Sequence, residues 1–377
     1  MKTALIYSDN FAMYDYGPKH PLKPFRLKLT FELIKAYGLL SLPEVRIVEA
    51  KPVFEETLFL YHTRDYIATL KAASGGLEIP GAEKYGLGFE DNPVFEGLFE
   101  WSRLLTGASL QAAELVENGE VAIAFNMSGG LHHALSSRAS GFCYINDPVI
   151  VISSLLRKGK RVAYIDVDAH HGDGVQDAFY DTNRVLTISL HESGRHLFPG
   201  TGFEREIGEQ AGRGYSVNIP MPPSSDDELF VWAFSEVVPS IIERFRPDIV
   251  VVQLGVDSFR ADPLAHLNYT TNGFCEVVER MKEFSPKLIA LGGGGYEITG
   301  VAKAWTLAWA IMNGIDLPDQ LPDAFLEQYP LDGFRSRKLR DEAYRETGSR
   351  KEIMGEEVRK VIAGIREKVL PLISPPI

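Results

Sequence analysis

The stretch Arg161-Val-Ala-Tyr-Ile-Asp-Val-Asp-Ala-His-His-Gly-Asp-Gly174 decides the fold of this chain. Residues 161–165 are mostly apolar and predict a buried strand, and the polar residues begin where that strand ends. Because side chains two apart on a strand share a face, Asp166, Asp168 and His170 should point the same way. Buried carboxylates beside an imidazole are costly unless they are paired or bind a metal. Such ligands suit zinc, iron or manganese.

Composition and charge narrow the class of protein. The chain has 377 residues, 45% of them hydrophobic and 24% charged, which is typical of a soluble enzyme with a large core. Its net charge of -12 argues against non-specific binding to nucleic acid or to anionic membranes. Cys143 and Cys275 do not make a disulfide framework, and we find neither a signal peptide nor a run of about 18 apolar residues. We therefore expect a cytoplasmic protein that binds neither nucleic acid nor membrane.

Apolar, β-branched runs alternate with stretches of helical periodicity. This alternation predicts an α/β fold with a mostly parallel central sheet flanked by helices on both faces. The predicted strands are Thr3 to Tyr7, Val121 to Phe125, Val162 to Asp166, Val185 to Leu190, Ile249 to Leu254 and Leu288 to Leu291. The predicted helices are Phe25 to Tyr37, Val94 to Glu117, Pro148 to Arg157, Asp227 to Phe245, Gly273 to Phe284, Gly300 to Asn313 and Glu352 to Val369. No linker divides the chain, so we expect a single domain over residues 1–377, with a charged helical extension from about 330 to 377.

Glycine- and proline-rich segments follow several of the predicted strands, and open parallel sheets bind ligands at the carboxyl ends of their strands. His132 and His133 come after the strand that ends at Phe125. A histidine pair there suits acid–base chemistry, because imidazole titrates near neutrality. Two loop histidines that bond only to backbone are the alternative.

Two further strand ends carry candidate functional residues. Asp257 follows the apolar strand Ile249 to Leu254 and is the predicted third metal ligand, although a lone Asp more often caps a helix or a turn. Gly292 to Gly295 lack the features of a P-loop or a dinucleotide fingerprint. Four glycines also let the backbone approach a ligand closely and aim Tyr296, a candidate oxyanion donor.

Together these motifs resemble the class I histone deacetylases and their bacterial relatives, which include the acetoin-utilisation deacetylases. The resemblance runs from about Tyr14 to Trp309 and implies a zinc-dependent amidohydrolase of the arginase/deacetylase fold. The occurrence of all these motifs in the family's order is far more specific than any one of them. The motifs are Gly17 to Arg26 (GPKHPLKPFR), Glu90 to Gly97 (EDNPVFEG), Gly129 to His133 (GGLHH), Gly141 to Asp147 (GFCYIND), Asp166 to Gly174, Leu197 to Gly202 (LFPGTG), Gln253 to Asp257 (QLGVD) and Leu291 to Tyr296 (LGGGGY).

The resemblance implies a metal site made by Asp168, His170 and Asp257. Two aspartates and one histidine leave an open position for water and a substrate carbonyl, as a catalytic zinc site needs. Oxygen-rich ligation is also compatible with Fe(II) in the cell. A bound ion of this kind acts as a Lewis acid and lowers the pKa of its water from about 16 toward about 7.

The resemblance also assigns the acid–base residues. His132 should pair with Asp166 and His133 with Asp173, which would fix each imidazole tautomer and raise its basicity. We expect His133 to exchange protons with water and the leaving amine, and His132 to orient and to act electrostatically. The reverse division stays open, because such a pair titrates as a coupled unit. Tyr296 should donate to the developing oxyanion.

A narrow tunnel for an acetylated lysine side chain is implied as well. Phe142 and Phe198 match its aromatic walls, although core packing is the ordinary role of a Phe. Gly141 would let the backbone approach the lysine stem, and Asp91 matches a rim carboxylate that accepts N–H groups of a peptide. Leu264 matches a rim position that is apolar in lysine deacetylases and acidic in polyamine deacetylases, so it argues for acetyl-lysine in proteins or peptides.

Two potassium sites are further implied by the resemblance. The first would use Asp166, Asp168, His170, Ser189 and the carbonyl of Leu190. The second would use the backbone around Phe179, Thr182 and Val185, with Tyr215 nearby.

Departures from related patterns define the alternatives. Pro263 and Thr299 stand where corepressor-bound relatives carry arginines for an inositol phosphate, and Lys23 keeps the third basic position, so we expect neither partner. Gly172 and Phe259 stand where arginase-like manganese enzymes carry carboxylates for a second metal, so we expect one ion. A deacetylase of acetylpolyamines or other small acylated amines and an inactive acetyl-lysine-binding protein are the alternatives. The sequence leaves the natural substrate, the acyl length and the oligomeric state open.

Overall fold

All strands of the central sheet run parallel. The computed structural model describes residues 1–77, 79–89, 91–284 and 286–374. The strands are β1 (Thr3–Tyr7), β2 (Val45–Glu49), β3 (Ile123–Asn126), β4 (Val162–Asp166), β5 (Val185–Glu192), β6 (Ser216–Met221), β7 (Ile249–Gln253) and β8 (Leu288–Leu291). Their order in the sheet is β2-β1-β3-β8-β7-β4-β5-β6, and each neighbouring pair is parallel. The prediction of a parallel α/β sheet is confirmed.

The helices connect these strands and flank the sheet, as parallel neighbours require crossover connections. They are α1 (Phe25–Ala36), α2 (Glu55–Leu58), α3 (Arg64–Ser74), α4 (Leu98–Glu117), α5 (Asp147–Arg157), α6 (Asp173–Ala178), α7 (Asp227–Phe245), α8 (Thr271–Glu283), α9 (Ile298–Met312), α10 (Asp323–Gln328) and α11 (Gly348–Lys368). In the described ranges, no helix is both long enough and apolar enough to cross a bilayer.

The predicted strands are the six inner ones, and the two edge strands were missed. Inner strands of a parallel sheet are buried on both faces and give continuous apolar runs. Strand β2 is half-exposed and carries Arg46 and Glu49, so it has no such run. Strand β6 alternates polar and apolar residues and contains Pro220, which a sheet tolerates at its edge.

Element boundaries differ from the predictions by a few residues. Helix α4 begins at Leu98, not at Val94, because Gly97 before it takes a φ of 83° that a helix cannot continue through. Strand β3 begins at Ile123 instead of Val121, and β5 extends to Glu192 instead of Leu190. Helices α2, α3, α6 and α10 were not predicted.

Helix α11 lies within the predicted charged extension. Its buried residues, Met354, Val358, Ile362 and Ile365, face α7 and the edge strand β6. The prediction of a single domain over residues 1–377 stays a prediction. Glu90, which begins one of the quoted motifs, and residues 375–377 lie outside the described residues.

Candidate active site

The strand order brings the candidate residues to one edge of the sheet. Strands β4 and β7 are neighbours in which Asp166 pairs with Gln253, so Asp168 and Asp257 leave adjacent strands. Strand β8 lies on the other side of β7 and leads into the glycine loop 292–295. Strand β3, which precedes the histidine pair, lies beside β8. Four separate motifs therefore meet at the carboxyl ends of four adjacent strands.

Asp168, His170 and Asp257 form a buried group whose ligand atoms all lie within 4.8 Å of one another. His170 Nδ1 lies 2.9 Å from Asp257 Oδ2 and 3.2 Å from Asp168 Oδ1. Among the residues that the structure describes, this is the one group of three or more acidic, histidine or cysteine side chains with this geometry. The structure thus brings together the three predicted metal ligands.

The remaining oxygens of the two carboxylates accept hydrogen bonds that orient them. Asp168 Oδ2 accepts bonds from Gln253 Nε2 and from the backbone N–H of Gly294, each 2.7 Å long. Asp257 Oδ1 accepts a 2.8 Å bond from the backbone N–H of Ala169. Gly294 must be glycine, because a Cβ atom there would lie 2.1 Å from Asp257 Oδ2. One oxygen of each carboxylate therefore faces His170.

Burial and charge at this group fit a divalent cation. Burial, and then the charge of Asp168, raise the pKa of Asp257 to about 6. Two carboxylates that repel each other in a buried place are stabilised by a cation between them. Two aspartate oxygens and one imidazole suit Zn²⁺ or Fe(II), and the donor set by itself does not distinguish the two.

Two histidine–aspartate pairs lie beside the metal group, as predicted. His132 Nδ1 lies 2.8 Å from Asp166 Oδ2, and His133 Nδ1 lies 2.6 Å from Asp173 Oδ1. Both imidazoles are buried. Each Nδ1 atom contacts a carboxylate, so the alternative in which these histidines bond only to backbone is wrong.

The two imidazoles have opposite pKa shifts. Burial lowers the pKa of His132, but the Asp166 and Asp168 carboxylates outweigh it and raise that pKa to about 9. Burial, and then the neighbouring His132, lower the pKa of His133 below its usual 6.5, and Asp173 offsets this only in part. These opposite shifts favour the proton on His132 over His133.

Several supporting residues were not assigned from the sequence. The Tyr164 hydroxyl donates a 2.7 Å hydrogen bond to Asp166 Oδ2, the oxygen that also contacts His132. The Asp147 carboxylate accepts the backbone N–H groups of Gly130 and Leu131 and so holds the loop before the histidines. A signal for Tyr164 existed, because a residue two before Asp166 on a strand shares its face.

A pocket of about 230 Å³ leads to this group. It contains all five predicted substrate residues together with candidate catalytic and metal residues, and Leu197, which was not predicted. Its lining residues are Asp91, His133, Gly141, Phe142, His170, Leu197, Phe198, Leu264 and Tyr296.

We call this pocket the tunnel. Its aromatic residues pack on the candidate catalytic side chains. The Phe198 ring lies 5.0 Å from the His133 ring, and the Phe142 ring lies 5.6 Å from the Tyr296 ring. Phe198 is 44% exposed, so core packing does not explain it. A Cβ atom on Gly141 would lie 2.5 Å from His133 Cδ2 and 2.9 Å from Phe198 Cε1. Only glycine therefore fits at position 141 without displacing the tunnel wall.

The residues of the two predicted potassium sites lie around strands β4 and β5. Asp166 pairs with Ser189 in the register of β4 and β5, and the Ser189 hydroxyl lies 2.8 Å from His191 Nδ1. Phe179 and Thr182 lie in the turn before Val185, where Thr182 N–H donates to the Phe179 carbonyl. The Tyr215 hydroxyl accepts a hydrogen bond from Ser374 N–H. Both potassium sites stay predictions.

The positions compared above with inositol-phosphate-binding and arginase-like relatives contact other residues of this chain. Lys23 Nζ donates to the carbonyls of Gly17 and Pro18, and the Thr299 hydroxyl donates to the Glu297 carboxylate. Phe259 is buried with its ring 5.6 Å from that of Phe274. A Cβ atom on Gly172 would lie 2.6 Å from Asp166 Oδ2, which leaves no room for a carboxylate there.

The fold and the site define this chain as a protein of the arginase/deacetylase fold, and the comparison with solved structures agrees. A crystal structure of an HDAC homologue complexed with SAHA matches with a TM-score of 0.88 and 37% identity, over 97% of this chain and 100% of that chain. The structure of an HDAC homologue from Aquifex aeolicus matches with a TM-score of 0.86 and 38% identity, over 95% of this chain and 100% of that chain.

The chain belongs to the histone deacetylase family, whose domain (Histone deacetylase domain) matches residues 20–312. Histone deacetylase 1 of Homo sapiens is 41% identical over 324 residues, which cover 85% of this chain and 66% of the human protein. Histone deacetylase 2 of Oryza sativa subsp. japonica is 40% identical over 324 residues, 85% of this chain and 63% of the rice protein. The aligned region thus spans less than two thirds of these relatives.

Proposed function

We propose that this protein hydrolyses the side-chain amide of N-acetyl-lysine in proteins or peptides and releases acetate and free lysine. The observation that carries this proposal is the tunnel, which has an aromatic wall at Phe142 and Phe198 and reaches His133 and His170. Acetylation removes the charge of a lysine and leaves an apolar four-carbon stem that ends in an amide. Apolar walls suit that stem, and the polar end suits the amide.

His133 is the proposed general base and acid. Its Nδ1 contacts Asp173, which holds the imidazole in one tautomer and leaves the lone pair on Nε2. His133 lines the tunnel and has a pKa lowered below 6.5, so it takes the proton of the attacking water and later gives it to the leaving amine. For this exchange its Nε2 must move out of the 3.0 Å contact with His132 Nε2. A zinc or Fe(II) ion held by Asp168, His170 and Asp257 would supply a Lewis acid.

His132 and Tyr296 stabilise the charge that develops on the carbonyl oxygen. The Asp166 and Asp168 carboxylates favour the proton on His132, which contacts His133 and is absent from the tunnel lining, so it acts electrostatically and orients its neighbour. Burial, and then the charges of Asp257 and Asp168, raise the pKa of Tyr296 well above its usual value. The Tyr296 hydroxyl therefore keeps its proton and donates a hydrogen bond to the oxyanion.

The rim of the tunnel supports acetyl-lysine over acetylpolyamines. Leu264 is apolar and offers no charge to a polyamine ammonium group, and the exposed Asp91 has a carboxylate free to accept peptide N–H groups. Pro263 and Thr299 carry no charge where inositol-phosphate-bound relatives have arginines, which argues against an inositol phosphate partner. Location in the cytoplasm, a single domain and the two potassium sites belong to this proposal as predictions.

Turnover by the metal-loaded protein tests the proposal. We expect acetate release from an acetyl-lysine peptide with a kcat/KM well above that for N-acetylpolyamines, and a much lower kcat for His133→Ala. If the polyamines are preferred by orders of magnitude, the assignment of Leu264 and Asp91 is wrong. If the peptide binds but is not cleaved, the inactive acetyl-lysine reader is correct. About one divalent ion per active chain is expected, and two manganese ions would favour the arginase-like alternative.

A further inference from the structure

The candidate oxyanion donor Tyr296 follows a segment with no conformational restraint of its own. Gly293 and Gly295 have φ angles of +123° and +140°, which are accessible mainly to glycine. A glycine-rich segment loses more entropy on ordering than any other, so outside contacts must hold it. Two of these contacts come from Arg26, which donates to the carbonyls of Gly293 and Gly295. They hold the loop and the carbonyl side of the peptide unit that joins Gly295 to Tyr296.

A buried carboxylate binds the N–H side of the peptide unit that joins Gly295 to Tyr296. Asp262 Oδ2 accepts a 2.7 Å hydrogen bond from the Tyr296 N–H and a 3.4 Å bond from the Glu297 N–H. Asp262 Oδ1 accepts a 3.0 Å bond from the N–H of Leu264. Asp262 is only 8% exposed, so water competes little for these bonds. One side chain thus joins the loop that carries the rim residue Leu264 to the loop that carries Tyr296.

Asp262 links two loops that line the tunnel but is not itself one of the lining residues. Leu264 and Tyr296 both line the tunnel, whereas Asp262 lines a neighbouring cavity with Arg260 and Lys303. Replacing its carboxylate therefore removes no contact with a substrate in the tunnel. An effect on catalysis travels through the backbone of its two partners or through the charge that Asp262 places near Asp257 and Tyr296, and amide exchange of the metal-free protein separates the two.

We propose that Asp262 is a positioning residue that sets where the Tyr296 ring lies relative to the Leu264 rim, a role that rests on the deacetylation proposed above. Asp262 accepts backbone N–H groups at both oxygens, so it satisfies both loops at once. An asparagine amide accepts at one oxygen and donates at its nitrogen, so in Asp262→Asn one loop must face a donor. A misplacement of about 1 Å is enough to cost on the order of 10²-fold in rate.

The matched control is Asp226, a buried carboxylate that is not among the residues lining the tunnel. It joins two segments in the same way, because Oδ1 accepts the N–H of Leu229 and Oδ2 accepts the N–H of Glu346. Asp226→Asn makes the same chemical change and reports the structural cost alone. Asp262→Glu is a second variant that keeps both acceptor oxygens, and it tests the role if Asp262→Asn does not fold.

The activity test compares kcat and KM for an acetyl-lysine peptide. We expect Asp262→Asn to lower kcat roughly 10- to 100-fold with KM within about threefold, Asp262→Glu to recover part of that loss, and Asp226→Asn to leave both near wild type. In a Tyr296→Phe background the same change should cost less than about threefold, because residues that act through one group are not additive. An equal loss of kcat in both backgrounds, or no loss in either, overturns the proposal.

Amide hydrogen exchange of the metal-free protein tests the same role without activity. Asp262→Asn should speed exchange by about tenfold or more either at Tyr296 and Glu297 or at Leu264, whichever faces the amide nitrogen, whereas Asp226→Asn should do so only at Leu229 and Glu346. Unchanged exchange at all three of Leu264, Tyr296 and Glu297 contradicts the proposal. A wild-type protein that cleaves no acetyl-lysine peptide defeats the proposed function, and the exchange result then still decides whether Asp262 holds the Tyr296 loop.

Discussion

The Nε2 atoms of His132 and His133 lie 3.0 Å apart. Two N–H groups cannot face each other at that distance, so the pair holds one proton between these atoms and titrates as a unit. The carboxylates around His132 keep the first proton there, and burial beside that cation keeps the second one off His133. Because His133 alone of the two lines the tunnel, the neutral imidazole is the one that faces the substrate.

Removing each imidazole in turn tests this division of roles. His133→Ala should lower kcat by at least roughly 10²- to 10⁴-fold, because the group that exchanges protons with water and amine is lost. His132→Ala should lower kcat by less, because it removes a nearby charge and not the base. Steady-state turnover of an acetyl-lysine peptide at equal metal content measures both. A larger loss in His132→Ala would reverse the assignment.

The pH dependence of kcat/KM should be bell-shaped. His133 works as a neutral base whose pKa is lowered below 6.5, so activity rises as the pH increases through the pKa of His133. His132 works as a cation with a pKa of about 9, so activity falls as pH increases through about 9. A bound divalent cation lowers both pKa values, so both limbs lie at or below these positions.

Variants of the two histidine partners assign these limbs. The Asp173 carboxylate raises the pKa of His133, so Asp173→Asn should move the acidic limb to lower pH. His132→Ala should remove the alkaline limb. An alkaline limb that persists in His132→Ala would have to come from another group, and His132 would lose its role.

Tyr296→Phe should lower kcat by roughly 10²-fold or more while the metal stays bound, because an oxyanion donor is lost and no metal ligand changes. The residue's Cβ and ring remain, so the contact with Phe142 is kept. Metal content and turnover measured on the same sample separate the two effects. A rate near wild type would remove Tyr296 from the mechanism.

Gly141→Ala should obstruct the tunnel and lower kcat/KM by an order of magnitude or more, because its Cβ atom would meet His133 and Phe198. Gly141 also has a positive φ of 51°, which by itself makes any side chain unfavourable. Gly314→Ala is the matched control, since Gly314 has a φ of 69° and open space around its Cβ position. Similar losses of activity in the two variants would attribute the effect to backbone strain.

Zinc should stabilise the metal-free protein, because it binds the folded site and neutralises two buried carboxylates. At a free zinc concentration 100 times Kd the gain is about 2.7 kcal/mol, which thermal unfolding with and without zinc should register as a rise in Tm. Asp257→Ala should abolish that rise. Asp226→Asn should lower the Tm of the metal-free protein but keep the rise in Tm on addition of zinc. A zinc-dependent shift that survives in Asp257→Ala would place the ion elsewhere.

Much of the fold was accessible from local patterns. The inner strands are buried on both faces, so their sequences are continuous apolar runs that can be recognised without knowing their neighbours. Strands β2 and β6 lie at the edges, and neither has such a run. The positive φ angle of Gly97 delays the start of α4 from Val94 to Leu98. That angle is set by the folded structure and could not be read from residues 94–97.

The sequence by itself determined which residues stand at the strand ends, and a parallel sheet necessarily gathers those ends at one edge. Asp168, His170, Asp257 and the two histidines could therefore be named in advance. Only the tertiary structure decided that Asp262 holds Tyr296, 34 residues away, and that His132 and His133 have opposite pKa shifts. Such effects depend on burial and on contacts between distant segments, and these distances and solvent exposures exist only once the chain is folded.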